Sequence, residues 1–157
     1  MGESRRKLAA DTWGALLQVH AALVPTLDSQ VRRQTGLPLA WYDVLLELAG
    51  SPGGKLRMTA LAERVVLSRT RVSRLVDELS AAGLVCRTEN PDDRRSSFAV
   101  LTDTGRSRFR AAAPIYLSAI ESYFAGGLNN EDLRNIKSAL LKVQSHIVGS
   151  PPSITRH

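Results

Sequence analysis

Apolar residues recur every three or four positions along the first part of the chain, and this spacing is typical of an amphipathic helix. The pattern predicts one helix from about Leu8 to Gln34, within which Pro25 should introduce a kink. Gly36 and Pro38 interrupt the pattern, so a second, shorter helix is expected from about Ala40 to Ala49. The chain is therefore predicted to begin with a long helix followed by a short one.

Two closely spaced helices are predicted after the glycine-rich stretch 50–54. Thr59 is a candidate N-cap for a helix that ends near position 65 or 66. Ser68 is a candidate N-cap for a helix from Arg69 to Ala82, and Gly83 is expected to end that helix. This spacing predicts a helix-turn-helix.

A β-hairpin is predicted beyond these helices, because two runs of residues have the composition of strands and are joined by a charged turn. The runs are Leu84 to Thr88 and Ser97 to Leu101. Thr102 is a candidate cap for a long helix that ends at about Ala125, with a bend at Pro114. The hairpin is the expected wing, and the long helix follows it directly.

The last predicted helix, from about Glu131 to Val148, carries apolar residues at alternating spacings of three and four, as in the seam between two packed helices. These residues are Leu133, Ile136, Leu140, Val143 and Ile147. The tail at 149–157 contains two adjacent prolines and is expected to be flexible.

Together these elements predict a mainly α-helical fold with a small β-hairpin wing. The predicted organisation is a winged helix-turn-helix domain at 40–102, an N-terminal dimerisation helix at 1–39 and C-terminal dimerisation helices at 103–148. A homodimer is inferred because the winged unit closes its own core, whereas the other three helices carry apolar stripes that need a partner. A monomeric bundle that folds back on the wing domain is the alternative.

The positive charge of the chain is concentrated on the predicted winged unit. The 157 residues carry a formal net charge of +6, and twelve basic but only seven acidic residues lie between Lys55 and Arg110. A basic excess that coincides with a helix-turn-helix favours double-stranded DNA as the partner. A solvated charged face without a partner is the alternative.

Several functions are disfavoured by what the sequence lacks. A single cysteine, Cys86, excludes a disulfide framework, and the three histidines have no metal-ligand spacing. Cys86 is expected to be half-buried in the first wing strand, with no redox role. No catalytic motif is recognised, so neither an enzyme nor a cofactor is expected. The longest uncharged run has 16 residues, fewer than the ~20 that a membrane span needs, and no secretory signal is recognised, so a cytoplasmic protein is expected.

The second helix of the predicted helix-turn-helix has an apolar face and a polar face. At about 100° per residue, the apolar side chains share one side and Thr70 and Arg74 point almost directly away. The apolar residues are Val72, Leu75, Val76 and Leu79. Because Asp77 and Glu78 on the later turns would repel phosphates, the N-terminal half of the helix is expected to enter the major groove.

Arginine can pair with guanine in that groove, and threonine can contact a base edge or a thymine methyl group. The candidate DNA contacts on this helix are Ser68, Arg69, Thr70, Arg71, Ser73 and Arg74. For Arg71 and for Arg64, a phosphate contact or an ion pair is an open alternative to base contact.

The turn of the hairpin supplies a second set of candidate DNA contacts, Asp93, Arg94 and Arg95. Two acids beside a DNA-binding arginine would be unfavourable unless one of them orients it. Asp93 is therefore assigned as the ion-pair partner that holds Arg95 extended into the minor groove, where arginine senses groove width and A·T content. An exposed ion pair with no role in binding is the alternative.

Five segments of the winged unit carry a recognisable pattern: Met58 to Ala62, Leu67 to Asp77, Ala82 to Val85, Asp92 to Ser96 and Leu101 to Gly105. They resemble the MarR family of winged-helix transcription regulators, and 93–96 fits the family's Asp-x-Arg-Ser pattern. The resemblance spans roughly Leu8 to Val148. It implies an obligate homodimer with interlocked terminal helices, bound to a pseudo-palindromic operator and often released by a phenolic or other small aromatic ligand.

The expected function is that of a sequence-specific DNA-binding regulator that acts as a repressor. Its aromatic effector is expected where the dimerisation helices meet the winged unit, and the candidate ligand contacts are Trp13, His20, Trp41, Tyr42 and Tyr116. Ordinary core packing is the alternative for each of them. The rival function is an effector-independent architectural or protein-interaction module, which ligand-dependent release from DNA would distinguish.

Overall fold

The computed structural model describes residues 4–65 and 68–149, and most of these residues are helical. The helices are α1 (Arg5–Thr35), α2 (Leu39–Ala49), α3 (Met58–Arg64), α4 (Arg69–Ala81), α5 (Asp103–Ile120) and α6 (Asn130–Gly149). The strands are β1 (Lys55–Arg57), β2 (Val85–Glu89) and β3 (Ser97–Leu101). The mainly helical fold with a small wing is therefore confirmed.

The first helix begins earlier than the apolar pattern indicates, because a serine caps it. The Ser4 side chain accepts a hydrogen bond from the backbone N–H of Lys7 at 3.3 Å. At the other end, Gly36 adopts a left-handed conformation (φ 71°) and closes the helix. Arg108 of α5 donates to the carbonyl oxygen of Thr35 at 3.0 Å, so the end of α1 is tied to α5.

A single apolar core holds α2, α3, α4 and the sheet together. Leu45 and Leu48 of α2, Leu61 of α3, and Val72 and Val76 of α4 are all fully buried in it. Burial of one such side chain contributes roughly 1.5 to 3 kcal/mol, so this core fixes the relative orientation of the three helices.

The sheet has three antiparallel strands in the order β1-β3-β2. The predicted hairpin is confirmed, with Val85 opposite Leu101 and Glu89 opposite Ser97. Strand β1 was not predicted, because it is only three residues long and follows a glycine-rich turn. Its central residue, Leu56, is buried and lies opposite Ala99.

Two of the three predicted helix caps are confirmed. Ser68 accepts from the N–H of Arg71 at 3.3 Å, and Thr102 accepts from the N–H of Gly105 at 2.9 Å. The predicted cap at Thr59 is wrong, because α3 already begins at Met58 and the cap position is held by Arg57, whose side chain makes no capping bond. Since Arg57 pairs with β3, the chain passes directly from strand to helix.

The start of α5 is packed directly against the chain at the start of β2. Thr102 donates its hydroxyl to the carbonyl oxygen of Gly83 at 2.8 Å, and its N–H donates to the carbonyl oxygen of Leu84. A Cβ atom on Gly105 would collide with that Leu84 oxygen. The glycine therefore permits an approach of backbone to backbone that no other residue would allow.

The helix predicted to end near Ala125 is divided in two. The α-helix ends at Ile120 and a π-helical turn follows at Glu121–Ala125.

On α6, the side chains of Leu140, Val143 and Ile147 are exposed, with Leu140 at 44 %. Of the predicted flexible tail, positions 150–157 lie outside the described residues. None of the helices in the described part of the chain is long and apolar enough to cross a membrane.

Candidate nucleic-acid interface

The outward face of α4 is polar and the inward face is buried, as its sequence predicts. The apolar residues Val72, Leu75, Val76 and Leu79 are buried. Thr70 and Arg74 lie on the exposed side, together with Arg69 and Arg71. None of these three arginines has an ion-pair partner among the described residues, so their guanidinium groups are available to an anionic ligand.

One predicted contact on α4, Ser73, is turned toward the wing. It is half-buried, and its hydroxyl accepts a hydrogen bond from Nη2 of Arg87 at 3.1 Å. Its backbone carbonyl accepts from the same nitrogen at 3.4 Å. Ser73 is therefore part of the contact between α4 and the wing.

Arg87, which was not among the predicted contacts, connects the wing to α4. Its Nη2 also lies 3.0 Å from Oδ1 of Asp77, so it neutralises an acid that would otherwise repel phosphates. The sequence does contain a pattern that could have identified Arg87. Side chains alternate along β2, which places Arg87 on the same side as buried Val85, facing α4.

The second acid of α4 also has a partner. Oε2 of Glu78 accepts a hydrogen bond from the indole N–H of Trp41 at 3.0 Å, which links α4 to α2. Arg64 donates to Oγ of Ser51 at 3.0 Å and lies 3.8 Å from Oε2 of Glu47. Of the two roles considered for Arg64, the structure therefore shows the ion pair.

The turn of the wing is closed by a buried asparagine. Asn90 is only 1 % exposed, and its amide donates to Oγ of Ser96 at 2.8 Å. Its backbone N–H donates to the carbonyl oxygen of Ser96 at 3.2 Å. The side chains between these two residues are exposed, so they project from a closed base.

The expected ion pair between Asp93 and Arg95 is replaced by a different contact. Oδ1 of Asp93 accepts from the backbone N–H of Arg95 at 3.0 Å, and no ion pair of either residue occurs within the described ranges. A short aspartate side chain in a tight turn reaches the backbone amide two residues ahead more readily than a long side chain. Asp93 thus shapes the turn, and the guanidinium groups of Arg94 and Arg95 remain exposed.

Comparison with known proteins identifies the family of this chain. A model of the MarR family matches residues 35–96. The crystal structure of AbsC, a MarR family transcriptional regulator from Streptomyces coelicolor, is 30% identical and covers 96% of this chain and 99% of its own, with a TM-score of 0.82. This chain belongs to the MarR family.

Two further proteins are similar to this MarR family regulator. Sco3205, a MarR family regulator from S. coelicolor whose crystal structure is in complex with DNA, is 29% identical over 100% of this chain and 96% of its own, with a TM-score of 0.84. An uncharacterized HTH-type transcriptional regulator from Bacillus cereus is 27% identical over 76% of this chain and 78% of its own. The protein is a DNA-binding transcriptional regulator and not an enzyme.

The five predicted ligand contacts of this MarR family chain do not form one site. Tyr42 and Tyr116 stack edge to face at 4.6 Å between ring centroids, and Tyr42 is 3 % exposed. Trp13 and His20 are exposed on the N-terminal half of α1, and Trp41 contacts Glu78. Two cavities, of about 430 and 380 Å³, are lined by none of these five residues.

Burial has a clear effect on the ionisable groups around this aromatic pair. It raises the pKa of Tyr42, and the neighbouring Tyr116 adds to the shift. Burial raises the pKa of Asp43, and the charge of Glu47 adds to that shift.

Cys86, expected to be half-buried, is instead exposed, because its side of β2 faces away from the core. No cluster that could hold a metal ion occurs among the described residues.

We predict that Arg87→Ala weakens DNA binding about tenfold, or ~1.4 kcal/mol, because Asp77 regains an uncompensated charge beside the phosphates. Fluorescence anisotropy with operator DNA measures this effect. The variant Arg110→Ala removes the same charge from an exposed site on α5 and is the matched control.

The double variant Arg87→Ala with Asp77→Asn separates two explanations of that loss. If Arg87 acts by neutralising Asp77, the double variant recovers at least half of the lost free energy. An unrecovered loss would mean that Arg87 contacts DNA itself.

Proposed function

We propose that this protein represses transcription by binding a pseudo-palindromic operator as a homodimer. Each protomer places the N-terminal half of α4 in a major groove and the turn of its wing in the adjacent minor groove. The observation that carries the proposal is the outward face of α4. There Thr70 and three arginines, which have no acid partner among the described residues, stand opposite the buried apolar stripe. The relative crystallised in complex with DNA supports it.

The position of each side chain on α4 supports a distinct role. Arg74 and Thr70 point directly away from the core and read base edges. Ser68, Arg69 and Arg71 lie at the helix N-terminus, where phosphate binding is favoured by the helix dipole and free N–H groups.

The wing is proposed to act in the minor groove. The side chains of Arg94 and Arg95 project from the base closed by Asn90 and Ser96, and they have no competing acid partner in the described ranges. Asp93 holds the backbone of the turn in the shape that presents them. Arginine in a narrow groove favours A·T-rich flanks.

We predict that Arg74→Ala costs about 1 to 3 kcal/mol of binding free energy and relaxes the preference at one or two base positions. Operators are first obtained by selecting bound fragments of the source genome, and two half-sites about one helical turn apart are expected. Binding to single-base variants is then measured, with Arg110→Ala as the control. An equal loss on every sequence would assign Arg74 to a phosphate.

A homodimer is proposed because apolar side chains of α1 and α6 have no cover within the described chain. Exposed residues include Trp13, at 60 %, and Leu17 on α1, and Leu140, Val143 and Ile147 on α6. A groove of about 430 Å³ runs along α6 beside Phe124. In this proposal, residues 1–39 and 103–148 form the dimer and 40–102 bind DNA.

We predict that sedimentation gives a particle of about twice 17.1 kDa and that Leu140→Glu shifts it toward the monomer and weakens DNA binding. Ser138→Glu adds the same charge to α6 on the face opposite the apolar seam, and it should leave the dimer intact. A wild-type protein that is monomeric at micromolar concentration would contradict the proposal.

Control by a small aromatic ligand is proposed at the junction of α2, α4 and α5. Trp41 on α2 donates to Glu78 on α4, so a ligand that displaces this indole would act directly on the DNA-reading helix. Tyr116, half-buried against the ring of Tyr42, supplies the adjoining aromatic surface. Such a ligand would change the spacing of the two reading helices in the dimer.

We predict that an aromatic acid or phenol raises the melting temperature of the free protein and releases it from its operator. By linkage, the ligand must bind the free protein more tightly than the DNA complex. A panel of phenolic acids, antibiotics and metabolites is screened, and Trp41→Phe, which removes the indole N–H, should reduce release. If no compound in the panel acts, the effector-independent module is favoured.

A further inference from the structure

The outer face of the wing sheet carries an aromatic ring with two cations close to it. Phe98 lies opposite Arg57 on one side and opposite Thr88 on the other. The ammonium nitrogen of Lys55 lies 4.0 Å from the centroid of the Phe98 ring, and Cζ of Arg57 lies 5.9 Å from it. Lys55, Arg57 and Phe98 are called the outer wing patch below.

The register of the sheet determines which way this patch faces. Leu56, between the two cations, is buried, and it lies opposite buried Ala99. Since side chains alternate along a strand, Lys55 and Arg57 point away from the core and away from α4. The patch and the DNA-reading helix are therefore on opposite sides of the wing.

The two cations of the patch are not neutralised. Neither has an ion-pair partner in the described ranges, and both are exposed. The outer face of the three strands holds no acid, because Glu89 lies opposite Ser97, on the side of the sheet that faces the core. Contact with a ring restrains a cation without consuming its charge or its hydrogen-bond donors, so both cations remain available to an anion.

The patch is also continuous with the turn of the wing. Strand β1 is antiparallel to β3, which begins immediately after that turn, so Arg57 lies at the end of the sheet nearest the turn. When α4 occupies a major groove and the turn enters the next minor groove, the duplex continues past the wing on the side opposite α4. That is the side on which the outer wing patch lies.

We propose that the outer wing patch binds phosphates of duplex DNA that flanks the operator, beyond the minor groove entered by the wing. Lys55 and Arg57 donate to phosphate oxygens, and Phe98 positions both cations. The inference rests on the proposed function, because it requires α4 and the wing to face DNA. It extends the footprint of the protein outside the sequence that α4 reads.

The test compares two duplexes with the same operator. One ends at the minor groove that the wing enters, and the other is extended by about ten base pairs on each side. Wild-type protein should bind the extended duplex about three- to tenfold more tightly. The double variant Lys55→Gln with Arg57→Gln should lose that advantage and bind the short duplex as wild type does.

Two further variants separate position from charge. Arg110→Ala removes a cation from α5 and should retain the advantage of the extended duplex. Phe98→Leu keeps both cations but removes the ring, so it should lose part of the advantage. The salt dependence of binding to the extended duplex should fall by about 0.9 in logarithmic slope for each phosphate contact that is lost.

A footprint of wild-type protein on the extended duplex gives a second measurement that does not depend on the folding of a variant. Protection of phosphates beyond the wing-bound minor groove is expected. Equal affinity of wild-type protein for the two duplexes, without that protection, would overturn the patch while leaving the proposed function intact. The same conclusion follows if the double variant binds both duplexes as wild type does, as expected of a patch for an acidic protein. A protein that binds neither duplex specifically would overturn both proposals.

Discussion

The burial of one side of α4 is the constraint on which the DNA-binding surface depends. Val72, Val76 and Leu79 are fully buried against α2, α3 and the sheet. Rotating the helix to hide other residues would expose these side chains, at roughly 1.5 to 3 kcal/mol each. The rotation of α4 is therefore fixed by its packing, and the identity of the outward-facing residues follows without any contact from a ligand.

Electrostatic pairing around α4 then selects which charges remain free. Asp77 is held by Arg87 and Glu78 by the indole of Trp41, whereas Arg69, Arg71 and Arg74 have no acid partner in the described chain. Exposed pairs of this kind contribute little to stability, typically less than ~1 kcal/mol. The main effect of Arg87 is on the local potential, because it neutralises Asp77, whereas the uncharged indole of Trp41 leaves the negative charge of Glu78 in place. The same pairs also join α4 to its neighbours on two sides.

Much of this architecture could be predicted from the sequence because it depends on local signals. The spacing of apolar residues placed α1, α4 and α6, and the hydroxyls of Ser68 and Thr102 marked two helix starts. Ionic contacts at the site were harder to predict. The Asp93 carboxylate was expected to pair with the guanidinium of Arg95, but it accepts from the backbone N–H of Arg95 instead. A turn brings a carboxylate near several donors, and the sequence spacing alone does not determine which of them it binds.

The features that the sequence did not reveal depend on contacts between distant segments. Strand β1 exists because β3, more than forty residues later, offers it a partner, and three residues alone have no recognisable alternation. Its presence also moved the start of α3 and displaced the expected cap. Arg87 acquires its role only when β2 is placed beside α4. Long-range packing also brings Tyr42 and Tyr116 into contact, whereas Trp13 stays exposed on α1.

The buried Asn90 at the base of the wing has a consequence for how this family member can diversify. Asn90 and Ser96 close the loop through backbone and side-chain hydrogen bonds, and between them the Asp93 side chain holds the backbone N–H of Arg95. Pro91, Arg94 and Arg95 are exposed and contribute no side-chain hydrogen bond to that closure. Substitutions at these positions can therefore accumulate at little cost to folding, and the wing can adapt to new flanking sequences while the body of the protein evolves separately.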